Sequence, residues 1–104
     1  GKHAEAAVLY KKLADAGDIT AITRLAWMYE AGRGVERSLD EAARLFMQAA
    51  QAGGAEAQYA IAVMYRTGKG QVKDKEQSLI WLKHSAEQHY PAAIAALAAE
   101  TSAE

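Results

Sequence analysis

Two Gly-x-Gly tripeptides, Gly32-Arg33-Gly34 and Gly68-Lys69-Gly70, stand behind Met-Tyr pairs in "MYEAGRGV" at residues 28–35 and "MYRTGKGQV" at 64–72. Glycines so spaced can turn backbone N–H groups onto a phosphate, the chemistry of nucleotide-binding loops. His84 beside Ser85 offers a base next to a nucleophile. His84 and His89 are two of the three histidines, but a spacing of five puts them on different helix faces, not on the i, i+4 face a metal needs. Asp40 with Glu41 and Asp74 with Glu76 are carboxylate pairs of the kind that share proton-transfer work. The chain has no cysteine, which removes disulfides, thiolate chemistry and cysteine-held zinc or iron–sulfur centres together.

What those residues do depends on the elements that carry them. A chain of 104 residues holds one small domain with a single core. Its 51% hydrophobic content, much of it alanine, with one proline and 24% charge, suits closely packed helices better than strands or disorder. Residues 1–52 carry seven cations and seven acids, and residues 53–104 five and six, so neither half presents the basic field that nucleic acid or anionic lipid requires. No stretch approaches the ~20 apolar residues of a membrane-spanning helix. The opening "GKHAEAAVLY" has neither an initiator Met nor a signal-peptide core, so the chain reads as a mature or excised piece, its compartment left open between periplasm or secretion and cytoplasm.

Laid against itself with an offset of 36, the chain matches Gly17 to Gly53, Ala21 to Ala57, Leu25 to Ile61, Met28 to Met64, Tyr29 to Tyr65, Gly32 to Gly68, Gly34 to Gly70 and Ala50 to Ala86. The same offset relates Leu9 to Leu45, Tyr10 to Phe46 and Ala57 to Ala93. A fixed period of this length marks a stacked repeat. Within a unit, Ala21, Leu25, Met28 and Tyr29 fall on one face of a helix, type A. Ala42, Leu45, Phe46, Ala49 and Ala50 do the same for a following helix, type B. The spacing predicts six helices at 3–16 (B), 19–31 (A), 39–52 (B), 55–67 (A), 75–88 (B) and 91–100 (A), an all-α fold. They divide into a half repeat 1–17, repeats 18–53 and 54–89, and a half repeat 90–104.

The unit "AITRLAWMYEAGRGV" with "EAARLFMQAAQAG", repeated as "AQYAIAVMYRTGKGQV" with "QSLIWLKHSAEQH", resembles the Sel1-like repeat, a relative of the tetratricopeptide repeat. The tetratricopeptide period is 34, so the two extra residues and the Gly-x-Gly turn favour the Sel1-like pattern. The chain departs from that pattern at Ala26, Ala62 and Ser38, and places Val72 one position later than Val35, predicting a differently shaped second loop. His89 stands where Gly53 does, which predicts that the last B helix ends without a glycine cap and that Pro91 enforces the break. The resemblance implies a right-handed α-solenoid of bacterial type, its concave side lined by A helices, serving as a scaffold or adaptor with no reaction, cofactor or metal of its own. The alternative it leaves is a regulatory module that senses a nucleotide or cell-wall fragment in the same groove.

If Ala21, Leu25, Met28 and Tyr29 face the core, then Thr20, Thr23, Trp27 and Glu30 form a second stripe, continued 36 residues on by Glu56, Tyr59, Val63 and Arg66. These eight are the expected partner-binding residues, with Trp27 and Tyr59 as anchors because aromatic residues dominate interface energies. Another protein or peptide is the expected partner, with no nucleic acid and no membrane insertion; the open half repeats add self-association as an expectation. The constellations of the opening then take plainer roles. Ser85 aligns with the small residue Ala49, and the carboxylates sit at starts of B helices, where negative charge suits the helix dipole. Gly32 and Gly68 end A helices, and Gly34 and Gly70 reverse the chain before B helices; a phosphate loop would instead follow a strand.

Overall fold

Helix-forming residues punctuated by glycine produce six α-helices in the computed structural model, which describes residues 1–102. They are α1 (Lys2–Asp15), α2 (Ile19–Ala31), α3 (Leu39–Gln51), α4 (Ala55–Thr67), α5 (Lys75–Glu87) and α6 (Pro91–Ser102). All six expected helices are present, with ends within two residues of expectation, and no strand occurs among the described residues. Each helix packs chiefly on its neighbours in sequence, giving an elongated stack 47 × 24 × 19 Å across.

The turns repeat as the sequence does. Gly32 and Gly68 take left-handed conformations, and their N–H groups donate to Met28 O at 2.7 Å and Met64 O at 2.8 Å. The chain then swings back so that Ser38 N–H donates to Tyr29 O and, 36 residues later, Asp74 N–H donates to Tyr65 O. Ser38 and Asp74 also cap α3 and α5, accepting from Glu41 N–H and Gln77 N–H, so serine substitutes for aspartate without loss of the cap. The two loops share this backbone plan and differ in side chains: Val35 is half-buried, whereas Val72 is 86% exposed.

Helix α5 ends without a glycine, as expected, yet it keeps the left-handed turn. His89 adopts φ 64°, in register with Gly17 at 91° and Gly53 at 100°. Its N–H donates to Ala86 O as that of Gly53 does to Ala50 O. The hairpin geometry therefore overrides residue preference at this position.

Alanine makes the close packing possible. Ala26, Ala42, Ala49, Ala57 and Ala93 are fully enclosed, while Leu25, Leu45, Phe46 and Ile61 fill the space between them. One apolar cluster runs from α1 through α4, and a smaller one joins Ala62, Leu82 and Ala93. The second junction is more polar. Ser78 and Ser85 replace Ala42 and Ala49, and their hydroxyls donate to Ala62 O at 2.8 Å and Ala55 O at 2.7 Å. Gln58, buried in place of Ile22, donates to Ala50 O and accepts from Gln88. No buried side-chain polar atom among the described residues lacks a partner, as polar groups in a core require.

Candidate partner-binding groove

Side chains of the A-type helices α2, α4 and α6 meet along one face of the stack. Trp27 leaves α2 toward α4, its indole packed edge-on against Phe46 with ring centroids 4.7 Å apart. Its Nε1–H donates to Glu56 Oε2 at 2.9 Å, and Arg24 lies 3.4 Å from the same oxygen. Lys69 Nζ, in the loop after α4, reaches Glu30 Oε1 at 3.7 Å, and Arg66 Nε reaches Glu100 Oε1 at 3.5 Å. Three ion pairs thus tie successive A helices together across this face. Tyr59 stacks at a tilt on Tyr90, 5.5 Å between centroids. Burial, with the Glu56 carboxylate and Tyr59 close by, pushes the Tyr90 phenol above its ordinary pKa.

The structure brings six of the eight expected residues to this face: Trp27, Glu30, Glu56, Tyr59, Val63 and Arg66 line its crevices or bridge them. Thr20 is exposed at the start of α2. Thr23 is a correction. It is 4% exposed and its hydroxyl donates back to Ile19 O at 2.9 Å, so it offers nothing to a partner. The reason is that α2 lies inside the stack: Ala21, Ile22, Thr23, Leu25 and Ala26 are all buried, which leaves only a narrow strip open. Met28, expected in the core, is only half-buried.

Sequence reasoning missed Arg24 and Tyr90 and did not place Lys69 on this face. Arg24 lies one turn before Trp27 and was within reach of helical spacing; Lys69 and Tyr90 sit just outside helices, where periodicity carries no signal.

Between α2 and α4 lies a crevice of about 200 Å³ floored by Phe46, Ala60 and Met64 and walled by Trp27, Tyr59 and Val63. Ala60 stands one period after Arg24, and its missing side chain leaves room there. The next crevice, between α4 and α6, is only about 20 Å³. Neither holds a catalytic constellation. Ser85 is fully buried and bonded to Ala55 O, while His84 faces Glu87 at 3.5 Å on the surface. The Gly-x-Gly turns end helices, and a β-carbon on Gly34 would run into the His3 carbonyl of α1, so this glycine serves close packing as well as reversal.

The Sel1 repeat family model matches residues 3–18, 19–54 and 55–90, the same periodic units whose packing is described above. The chain belongs to the Sel1 repeat family. Among solved structures, this Sel1 repeat chain is similar to a Sel1 repeat protein from Oxalobacter formigenes, with 33% identity over 89% of this chain and a TM-score of 0.84. It is also similar to a protective antigen of uropathogenic Escherichia coli strains with the same fold, at 33% identity over 88% of this chain and a TM-score of 0.83. It spans 38% and 20% of those two chains. Helicobacter pylori cysteine-rich protein B shares the fold at 20% identity, with a TM-score of 0.80 over 85% of this chain and 66% of that one. A comparison with curated proteins gives no match. Sel1 repeat proteins are generally non-catalytic scaffolds for protein interaction, and the fold is an all-α superhelix. No helix among the described residues is long and apolar enough to cross a membrane.

Proposed function

We propose that this Sel1 repeat chain is an adaptor that binds a protein or peptide along the concave groove of its A helices, with Trp27, Tyr59 and Val63 as the contact surface. The observation that carries the reading is the pinning of Trp27 by Phe46 and Glu56, which holds a large aromatic ring at the surface in one orientation. A rigid, half-buried aromatic loses little entropy on binding, which is why such residues anchor interfaces. Glu30, Glu56 and Arg66, each held by a partner, flank the aromatics and orient what docks there.

A photo-crosslinking residue placed at Tyr59 is expected to capture a partner protein in cells, whereas the same residue at Ile80, exposed on α5, captures none. Equal capture at both positions would count against the groove. Sensing of a small ligand gains no support from the crevice, because its ionisable groups, Glu30 and Lys69, are already paired with each other.

A further inference from the structure

We propose that the partner is held by one bulky, uncharged apolar side chain seated in the crevice between α2 and α4, with no charged residue required beside it. This rests on the groove reading above and adds the chemistry of what binds.

The volume is the first argument. About 200 Å³ falls short of the roughly 300–1,000 Å³ of a small-molecule site and suits a single leucine- to phenylalanine-sized side chain. The lining is the second. Phe46, Ala60, Met64, Trp27 and Val63 present carbon, and the indole N–H is already committed to Glu56. The charges are the third. Arg24 with Glu56, Glu30 with Lys69 and Arg66 with Glu100 balance one another across the face, so a charged guest would lose its hydration and meet no free counter-charge. An apolar guest avoids that cost and gains from displaced water in proportion to area buried. The comparison between periods is the fourth: Arg24 gives way to Ala60 here, the following crevice is a tenth as large, and the preceding one, about 420 Å³ between α1 and α2, is lined by His3, Arg24, Glu30 and Arg33, so this crevice is the apolar seat of the groove.

The test selects binders of the 104-residue chain from a random 12-residue peptide display library, then measures each by titration. Selected peptides are expected to share one Leu, Met, Phe or Trp. Val63→Arg at the crevice wall should weaken binding more than tenfold. Thr67→Trp, at an exposed position on the rim, should do the same without touching the core. Affinity should change less than threefold between 50 and 500 mM NaCl, and less than threefold in Glu30→Gln with Lys69→Met. Peptides that share a charged motif, lose affinity steeply with salt and ignore Thr67→Trp would overturn the apolar anchor while leaving the groove reading intact. A selection that gives no binder weakened by Val63→Arg, Thr67→Trp or Tyr59→Ala would overturn both.

Discussion

His89 occupies the turn position that glycine fills at residues 17 and 53, and as a non-glycine residue with φ 64° it carries backbone strain. Its side chain is exposed, so the strain has no packing return. His89→Gly should therefore stabilise the chain by about 1 kcal/mol and raise Tm by roughly 4–8 °C. Gly53→Ala should do the reverse, since a β-carbon there meets nothing within 4 Å and only the backbone cost remains. Thermal melts of the two variants check both signs. A second prediction concerns Glu41, whose carboxylate accepts from Arg44 Nε at 2.8 Å and Nη2 at 2.6 Å. That bonding outweighs desolvation and holds the Glu41 carboxyl below its ordinary pKa. The pair's contribution is therefore present above the unfolded glutamate value of about 4.3 and fades as pH falls through the lower folded value. The pair is largely exposed, so Arg44→Met should cost about 0.5 kcal/mol or less at pH 7 by urea titration, and the gap from wild type should narrow as the carboxyl is protonated in acid.

At the scale of elements, the Gly34 turn is pressed against the start of α1, while a β-carbon added at Gly70 in the equivalent turn would stand 3.3 Å from Leu39 O and 3.0 Å from the flexible end of Met64. Both glycines have positive φ, so alanine strains either backbone. The Leu39 carbonyl need give only by a few tenths of an ångström, whereas the His3 main chain, 2.2 Å from a β-carbon on Gly34, must move outright. Gly34→Ala is expected to cost about 1–3 kcal/mol more than Gly70→Ala, and to speed amide exchange in residues 2–15. Helices and turns of this kind were legible in the sequence because glycine and the apolar spacing recur at one offset. The burial of Thr23 was not, because a helix with neighbours on several sides buries more than one stripe, and a single helix's periodicity shows only one. Nor were the pairs Arg24–Glu56, Glu30–Lys69 and Arg66–Glu100 legible. They cross between helices, and whether long side chains meet there depends on helix separation and rotation. Trp27 and Tyr59 were found because stripe geometry alone puts them on the open face; Thr23 shared that stripe and was lost to packing.

Across the whole molecule, apolar contact is uneven. The larger cluster joins α1 to α4, whereas the smaller rests on Ala62, Leu82 and Ala93 and is supplemented by hydrogen bonds from Ser78 and Ser85. The α5–α6 end should open at lower free energy than α3 and α4, so its amides are expected to exchange first in native-state hydrogen exchange. Simultaneous exchange along the stack would show instead that the polar junction is as strong as the apolar one. The preference of each helix for its sequence neighbours also bears on how the chain finds its shape. Contacts so close in sequence require little loop closure before they form, so refolding should finish within microseconds to milliseconds. Any hairpin can start it. Trp27, packed against the larger cluster, and Trp81, which touches both, can report in stopped-flow fluorescence whether growth spreads from the α1–α4 end, leaving the strained turn at His89 among the last places to close.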